Sequence, residues 1–74
     1  MASEREQAQS EVYRLESDLR SAKGQVDLHR GRIAREADEG KRSILKGTLA
    51  SAENSARNVE RALANAQTRL RNAR

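Results

Sequence analysis

Apolar residues recur at alternating spacings of four and three along both halves of this 74-residue chain, but the two halves do not share one heptad frame. In the first half the a and d positions are Ala8, Val12, Leu15, Leu19, Ala22, Val26, His29 and Ile33. In the second half they are Leu45, Leu49, Ala52, Ala56, Val59, Leu63, Ala66, Leu70 and Ala73. The frames are offset by two residues, which a single insertion of three or four residues does not produce. A break between Ile33 and Leu45 removes the conflict.

The sequence therefore predicts an all-α fold, an antiparallel two-helix coiled-coil hairpin. We expect helix 1 over about 4–38, a turn over about 39–42 and helix 2 over about 43–73, as one domain spanning 1–74. An uninterrupted helix would rotate its apolar stripe sharply around its own axis, whereas two separate helices can face each other.

The predicted helix ends depend on capping residues. Ser3 with Glu6 fits a capping box at the start of helix 1. Gly40 suits the left-handed residue that follows a helix C-terminus. For helix 2, Ser43 or Asp38 is the expected N-cap.

Two antiparallel registers match a positions with d positions. In the favoured one, paired residue numbers sum to 78, so Val12 faces Ala66 and both helices are used to their ends. Glu11 and Arg69 then become flanking neighbours of opposite charge. A sum of 71 also matches a with d, but it leaves Leu70 without a partner.

A hairpin of this size has a single interface between its two helices and no other core, so it is marginally stable on its own. The chain has no Cys or Pro, and its one aromatic residue is Tyr13. Neither disulfides nor a thiolate zinc site can stabilise it. We therefore expect association into a four-helix bundle, with a second copy or with another helical protein.

Five residues are candidate partner contacts. Tyr13, Leu28 and Ile44 are apolar residues outside the a and d positions, and Gly24 and Gly31 lie one heptad apart on the outer face. Small residues let another backbone approach closely, and a surface Tyr can anchor an interface. The alternatives are local packing around the turn for Leu28 and Ile44, and simple solvent exposure for the others.

The uneven distribution of charge along the chain suggests a second functional hypothesis. Residues 1–38 carry 7 Lys/Arg and 8 Asp/Glu, whereas residues 39–74 carry 8 and 3, which gives the overall +4. Arg57, Arg61 and Arg71 share much of one outer face of helix 2. That face would bind nucleic acid through phosphate contacts, although no aromatic residue is present there for base stacking.

The sequence offers no catalytic constellation, since it holds one histidine, His29, no Cys and no Gly-rich phosphate loop. His29 at a d position is expected to be a partly buried core residue. We expect no enzyme activity, no cofactor, no metal, no small-molecule substrate and no membrane association. The expected location is cytoplasmic, and signal-less export would leave the same sequence. The leading functional hypothesis is a protein-protein interaction module: a small subunit, an adaptor, a chaperone-like partner or an inhibitor.

Overall fold

The computed structural model describes residues 3–73, and within them the chain forms two α-helices and no strand. Helix α1 spans Glu4–Arg35 and helix α2 spans Glu39–Asn72. The helices pack against each other along an elongated body 55 Å long and 16 by 14 Å in cross-section. The predicted all-α hairpin is confirmed.

The first helix begins at the predicted cap. The Ser3 side chain accepts a hydrogen bond from the Glu6 backbone N–H at 3.1 Å, and Ser3 itself is extended. Glu4 and Glu6 place negative charge in the first turn, where the helix dipole favours it. The cap therefore satisfies one of the backbone donors that have no partner within the helix.

The turn lies earlier than predicted. Helix α1 ends at Arg35 rather than near residue 38, and α2 begins at Glu39 rather than near residue 43. The connection is therefore 36–38 instead of about 39–42. Helix α2 also ends one residue before the expected position, at Asn72.

Asp38 causes this shift. Its carboxylate accepts a hydrogen bond from the Lys41 backbone N–H at 2.9 Å, which makes Asp38 and not Ser43 the N-cap of α2. The predicted left-handed conformation of Gly40 is wrong, because Gly40 lies in the first turn of α2 and none of the four glycines has a positive φ. Helix α1 is instead followed by Glu36 as its C-cap, which has an extended backbone and whose carboxylate accepts a hydrogen bond from the Asp38 N–H at 3.0 Å.

The helices meet through the predicted a and d positions, every one of which is buried or half-buried. Val12, Leu15 and Ala66 form one buried cluster, with Leu63 and Leu70 packed against it. This cluster contains pairs expected when paired residue numbers sum to 78, and the interhelical ion pairs Glu11–Arg69 and Arg30–Glu53 fit that register better than a sum of 71.

The core is small. Among residues 3–73, the buried apolar residues are Ala8, Val12, Leu15, Val26, Ala56 and Ala66, and three of these six are alanines. A compact protein of 8.3 kDa exposes roughly 4,600 Å², whereas this chain exposes 5635 Å². The hairpin thus leaves both of its long sides open to solvent.

Candidate interaction surface

Two long faces flank the interhelical core, and an ion pair between the helices marks each of them. Arg30 and Glu53 approach to 3.7 Å on one side. Glu11 and Arg69 approach to 2.6 Å on the other, as the register predicts. In heptad terms the first side carries the e and b positions of both helices, and the second side carries the g and c positions.

The first side holds a groove lined by alternating charges, which we call the charged face. Val26 and Ala56 form its floor. Its charged side chains are Lys23, Asp27, Arg30, Glu53, Arg57 and Glu60. With three cations and three anions, this groove is electrostatically balanced. It has no excess charge that would select an anionic or a cationic ligand.

The second side lacks charge over the middle of the hairpin, between Asp18 and Arg32 of α1 and between Lys41 and Arg69 of α2. All six residues that define this neutral face are exposed: Gln25, Leu28, Ile44, Thr48, Ser51 and Ser55. The Thr48 hydroxyl donates to the Ile44 carbonyl at 3.3 Å, so it is already satisfied within α2. Since 35% of the chain is charged, an uncharged surface of this length stands out.

The structure places Leu28 and Ile44 together on the neutral face and separates them from Tyr13. Leu28 is 46% exposed and Ile44 is 72% exposed. Tyr13 is also exposed, but it occupies a b position on the other side of the hairpin, where its hydroxyl accepts a hydrogen bond from Gln9 Nε2 at 2.8 Å. The three residues therefore do not form one surface.

The two candidate glycines of α1 lie on its outer surface. A Cβ atom added at Gly24 or at Gly31 would meet no atom within 4 Å. Neither glycine is required by a close approach within the hairpin. Within the hairpin, their only effect on stability is that glycine favours the helix less than alanine does.

Arg57, Arg61 and Arg71 are all exposed, and none forms an ion pair with another residue in the described range 3–73. Arg57 and Arg61 are one helical turn apart. Arg71 is ten residues further along, about 15 Å from Arg61. Arg57 also borders Glu53 and Glu60 in the groove of the charged face, so the cations are not an uninterrupted strip.

The lone histidine, His29, is half-buried at its d position, and its Nδ1 has no hydrogen-bond partner. Among residues 3–73 no group of three His, Asp or Glu side chains is arranged to hold a metal ion. Over the same range, neither helix has an apolar stretch long enough to cross a membrane.

Sequence reasoning found Leu28 and Ile44 but missed the polar residues that surround them on the neutral face. Those are Gln25, Thr48 and Ser55. The available signal was the absence of charge from the g and c positions over the middle of both helices. That signal becomes meaningful only once the register shows that these columns share one side of the hairpin.

Comparison with family models, with curated proteins and with solved structures found no match to this chain.

Proposed function

We propose that this protein is a non-catalytic module that works by helix-helix association. Its partner is a second copy or another helical protein, which it would join as a small subunit, an adaptor, a chaperone-like partner or an inhibitor. The proposal rests on the surface and the small core of the hairpin and not on any reacting group.

The observation that carries the proposal is the imbalance between core and surface. Burial of apolar area is the main stabilising term in folding, and here three of the six buried residues are alanines. The chain also exposes roughly 1,000 Å² more than a compact protein of its mass. Packing a second pair of helices against the hairpin would bury such surface and add a second apolar layer.

Two measurements on the purified protein test the proposal. Light scattering should give a molar mass of at least twice the 8.3 kDa of one chain. The melting temperature should rise with protein concentration, because association stabilises the folded state by mass action. A monomer whose melting temperature is independent of concentration, and with which no helical protein co-purifies from the native host, would contradict the proposal.

The second candidate function is nucleic-acid binding through α2. The observation that favours it is the exposure of Arg57, Arg61 and Arg71 without ion-pair partners among the described residues. Guanidinium groups in this state are free to contact phosphates, and such contacts carry most of the salt-dependent affinity of nucleic-acid binding.

A filter-binding titration at several salt concentrations tests this second candidate. Changing Arg57, Arg61 and Arg71 to Gln should lower the slope of log affinity against log salt by roughly 0.9 for each lost phosphate contact. The matched control changes three exposed arginines of α1, Arg5, Arg20 and Arg35, to Gln. Unchanged retention in the α2 variant, or an equal loss in the control, would rule out this binding surface.

A further inference from the structure

From the distribution of charge along α1 we infer the partner and its orientation: the side of the hairpin that carries the neutral face packs against the same side of a second copy that runs antiparallel to the first. The inference rests on the proposed function and specifies it. The two-fold axis passes close to Ser21, near the middle of the hairpin. Helix α1 of one copy then lies against α1 of the other.

The g positions of α1 change from acidic to basic along the helix. In order they are Glu4, Glu11, Asp18, Gln25 and Arg32. A two-fold interface brings residue i of each copy against residue j of the other. When the two α1 helices run in opposite directions, the acidic start of this g column therefore faces the basic end of the same column in the second copy. A reversed copy places Arg32 against Glu11 and Gln25 against Asp18.

The ion pairs within one copy leave the basic end of this column unpaired. Glu11 already contacts Arg69, and Asp18 contacts Arg14 at 3.5 Å. Arg32 forms no ion pair with any other described residue. Because an ionised carboxylate accepts several hydrogen bonds, Glu11 is able to accept one from a second cation. The antiparallel dimer supplies Arg32 with the anion that its own chain does not provide.

The same arrangement covers the two exposed aliphatic side chains. Opposite Leu28 it places the region around Arg14 of the second copy, and opposite Ile44 the region around Arg69. Long basic side chains bury their aliphatic stems on apolar surface while the charged group stays in water. Leu28 and Ile44 would therefore lose exposed area without forcing a charge into the interface.

The size of the whole side that carries the neutral face also fits a second copy. A side 55 Å long and 14 to 16 Å wide presents roughly 800 Å², which is the usual contribution of one partner to a stable interface. This area is reached only when nearly the whole length is covered. A second hairpin of equal length does so when the two copies overlap fully.

Disulfide formation through residue 21 tests the position of the axis. With helix axes 8–10 Å apart, the two Ser21 Cα atoms come within about 7 Å, which a disulfide can bridge. The chain has no natural Cys, so Ser21→Cys introduces the only thiol. We expect this variant to form a covalent dimer under mild oxidation. The matched control, Ser17→Cys, lies on the outer surface of α1 and should remain largely uncrosslinked.

Two substitutions of opposite charge at residue 25 test the antiparallel orientation of the two copies. In the antiparallel dimer Gln25 of each copy faces Asp18 of the other copy, so this contact occurs twice in the interface. Gln25→Glu should therefore raise the dimer Kd on the order of tenfold, and Gln25→Lys should lower it. The same two changes at Gln9, an exposed residue on the opposite side of α1, should leave the Kd unchanged. Circular dichroism checks that every variant keeps its helices.

The outcomes separate this inference from the proposed function. A dimer that is indifferent to charge at residue 25 and that does not crosslink through Ser21→Cys overturns the inference but leaves association intact. Equal effects of Gln25→Glu and Gln25→Lys contradict the antiparallel orientation. A protein that stays monomeric overturns the inference, and the proposed function then depends on a different helical protein that co-purifies with the chain.

Discussion

Replacing Gly24, Gly31 and Gly47 together by Ala is expected to stabilise the hairpin. All three glycines are helical, and a Cβ atom at any of them would meet nothing within 4 Å. Alanine is favoured over glycine in a helix interior by about 1 kcal/mol, because glycine loses more conformational entropy on folding. Since the sites share no contacts, the gains should add to about 2–3 kcal/mol.

Thermal unfolding followed by circular dichroism measures this gain. A domain of 60–100 residues shifts its melting temperature by about 4–8 °C per kcal/mol, so the triple variant should melt about 8–24 °C higher. Gly40→Ala is the control, because a Cβ there would lie 3.3 Å from Asp38 Oδ1. That contact has to relax, so its gain should be smaller than the gain at any of the other three sites.

The same experiment decides whether the small residues on the outer surface serve contact with a partner. If they do, the added methyl groups would weaken association while the isolated hairpin became more stable. An unchanged molar mass together with a higher melting temperature would show that the glycines only reduce stability. A lower melting temperature for the triple variant would refute the reasoning.

Three further changes test the core, the cap and the interhelical ion pair. Leu15→Ala should cost about 2–4 kcal/mol in urea unfolding, because it leaves a cavity in the largest buried cluster; a loss below 1 kcal/mol would argue against that packing. Asp38→Ala should cost about 1 kcal/mol by loss of its cap, whereas Ser43→Ala should cost almost nothing; equal effects would contradict the observed start of α2. A double-mutant cycle on Glu11 and Arg69 should give a coupling below about 1 kcal/mol that falls in high salt, because Arg69 is largely exposed. Coupling that is insensitive to salt would indicate a more buried pair.

The hairpin and its core could be predicted from the sequence because both depend on the same repeating pattern. The out-of-phase heptads require a break, and once the chain reverses, the a and d positions of each half have only each other to cover them. The register followed from matching a with d positions while using both helices to their ends, since the alternative leaves Leu70 without a partner. The contact between Glu11 and Arg69 is what that register predicts.

The position of the turn could not be predicted with the same accuracy. Asp38 and Ser43 are both good N-caps, and Gly40 is tolerated in a first helical turn, so the alternatives differ by about 1 kcal/mol. The choice depends on hydrogen bonds such as that from the Lys41 N–H to Asp38, which the sequence pattern does not show. An extended residue at Glu36 ends α1 without any need for a left-handed glycine.

The candidate surface was only partly visible in the sequence. Exposed aliphatic residues at positions 28 and 44 are apparent from the heptad pattern. The sequence pattern does not show that these two residues lie on the same side of the hairpin and that Tyr13 lies on the other. Both facts depend on how the two helices pack against each other. The unpaired state of Arg32 likewise depends on which cations the other helix places beside each carboxylate of α1.

The distance between spin labels at residues 10 and 68 within one molecule tests the hairpin most directly. Ser10 and Thr68 are exposed on the outer surfaces of the two helices, and they lie at the same end of the structure. Measured in protein diluted with unlabelled chains, the labels should be about 20–30 Å apart, as expected for neighbouring helices. A separation near 87 Å, the length of about 58 residues in one continuous helix, would contradict the fold on which every proposal above depends.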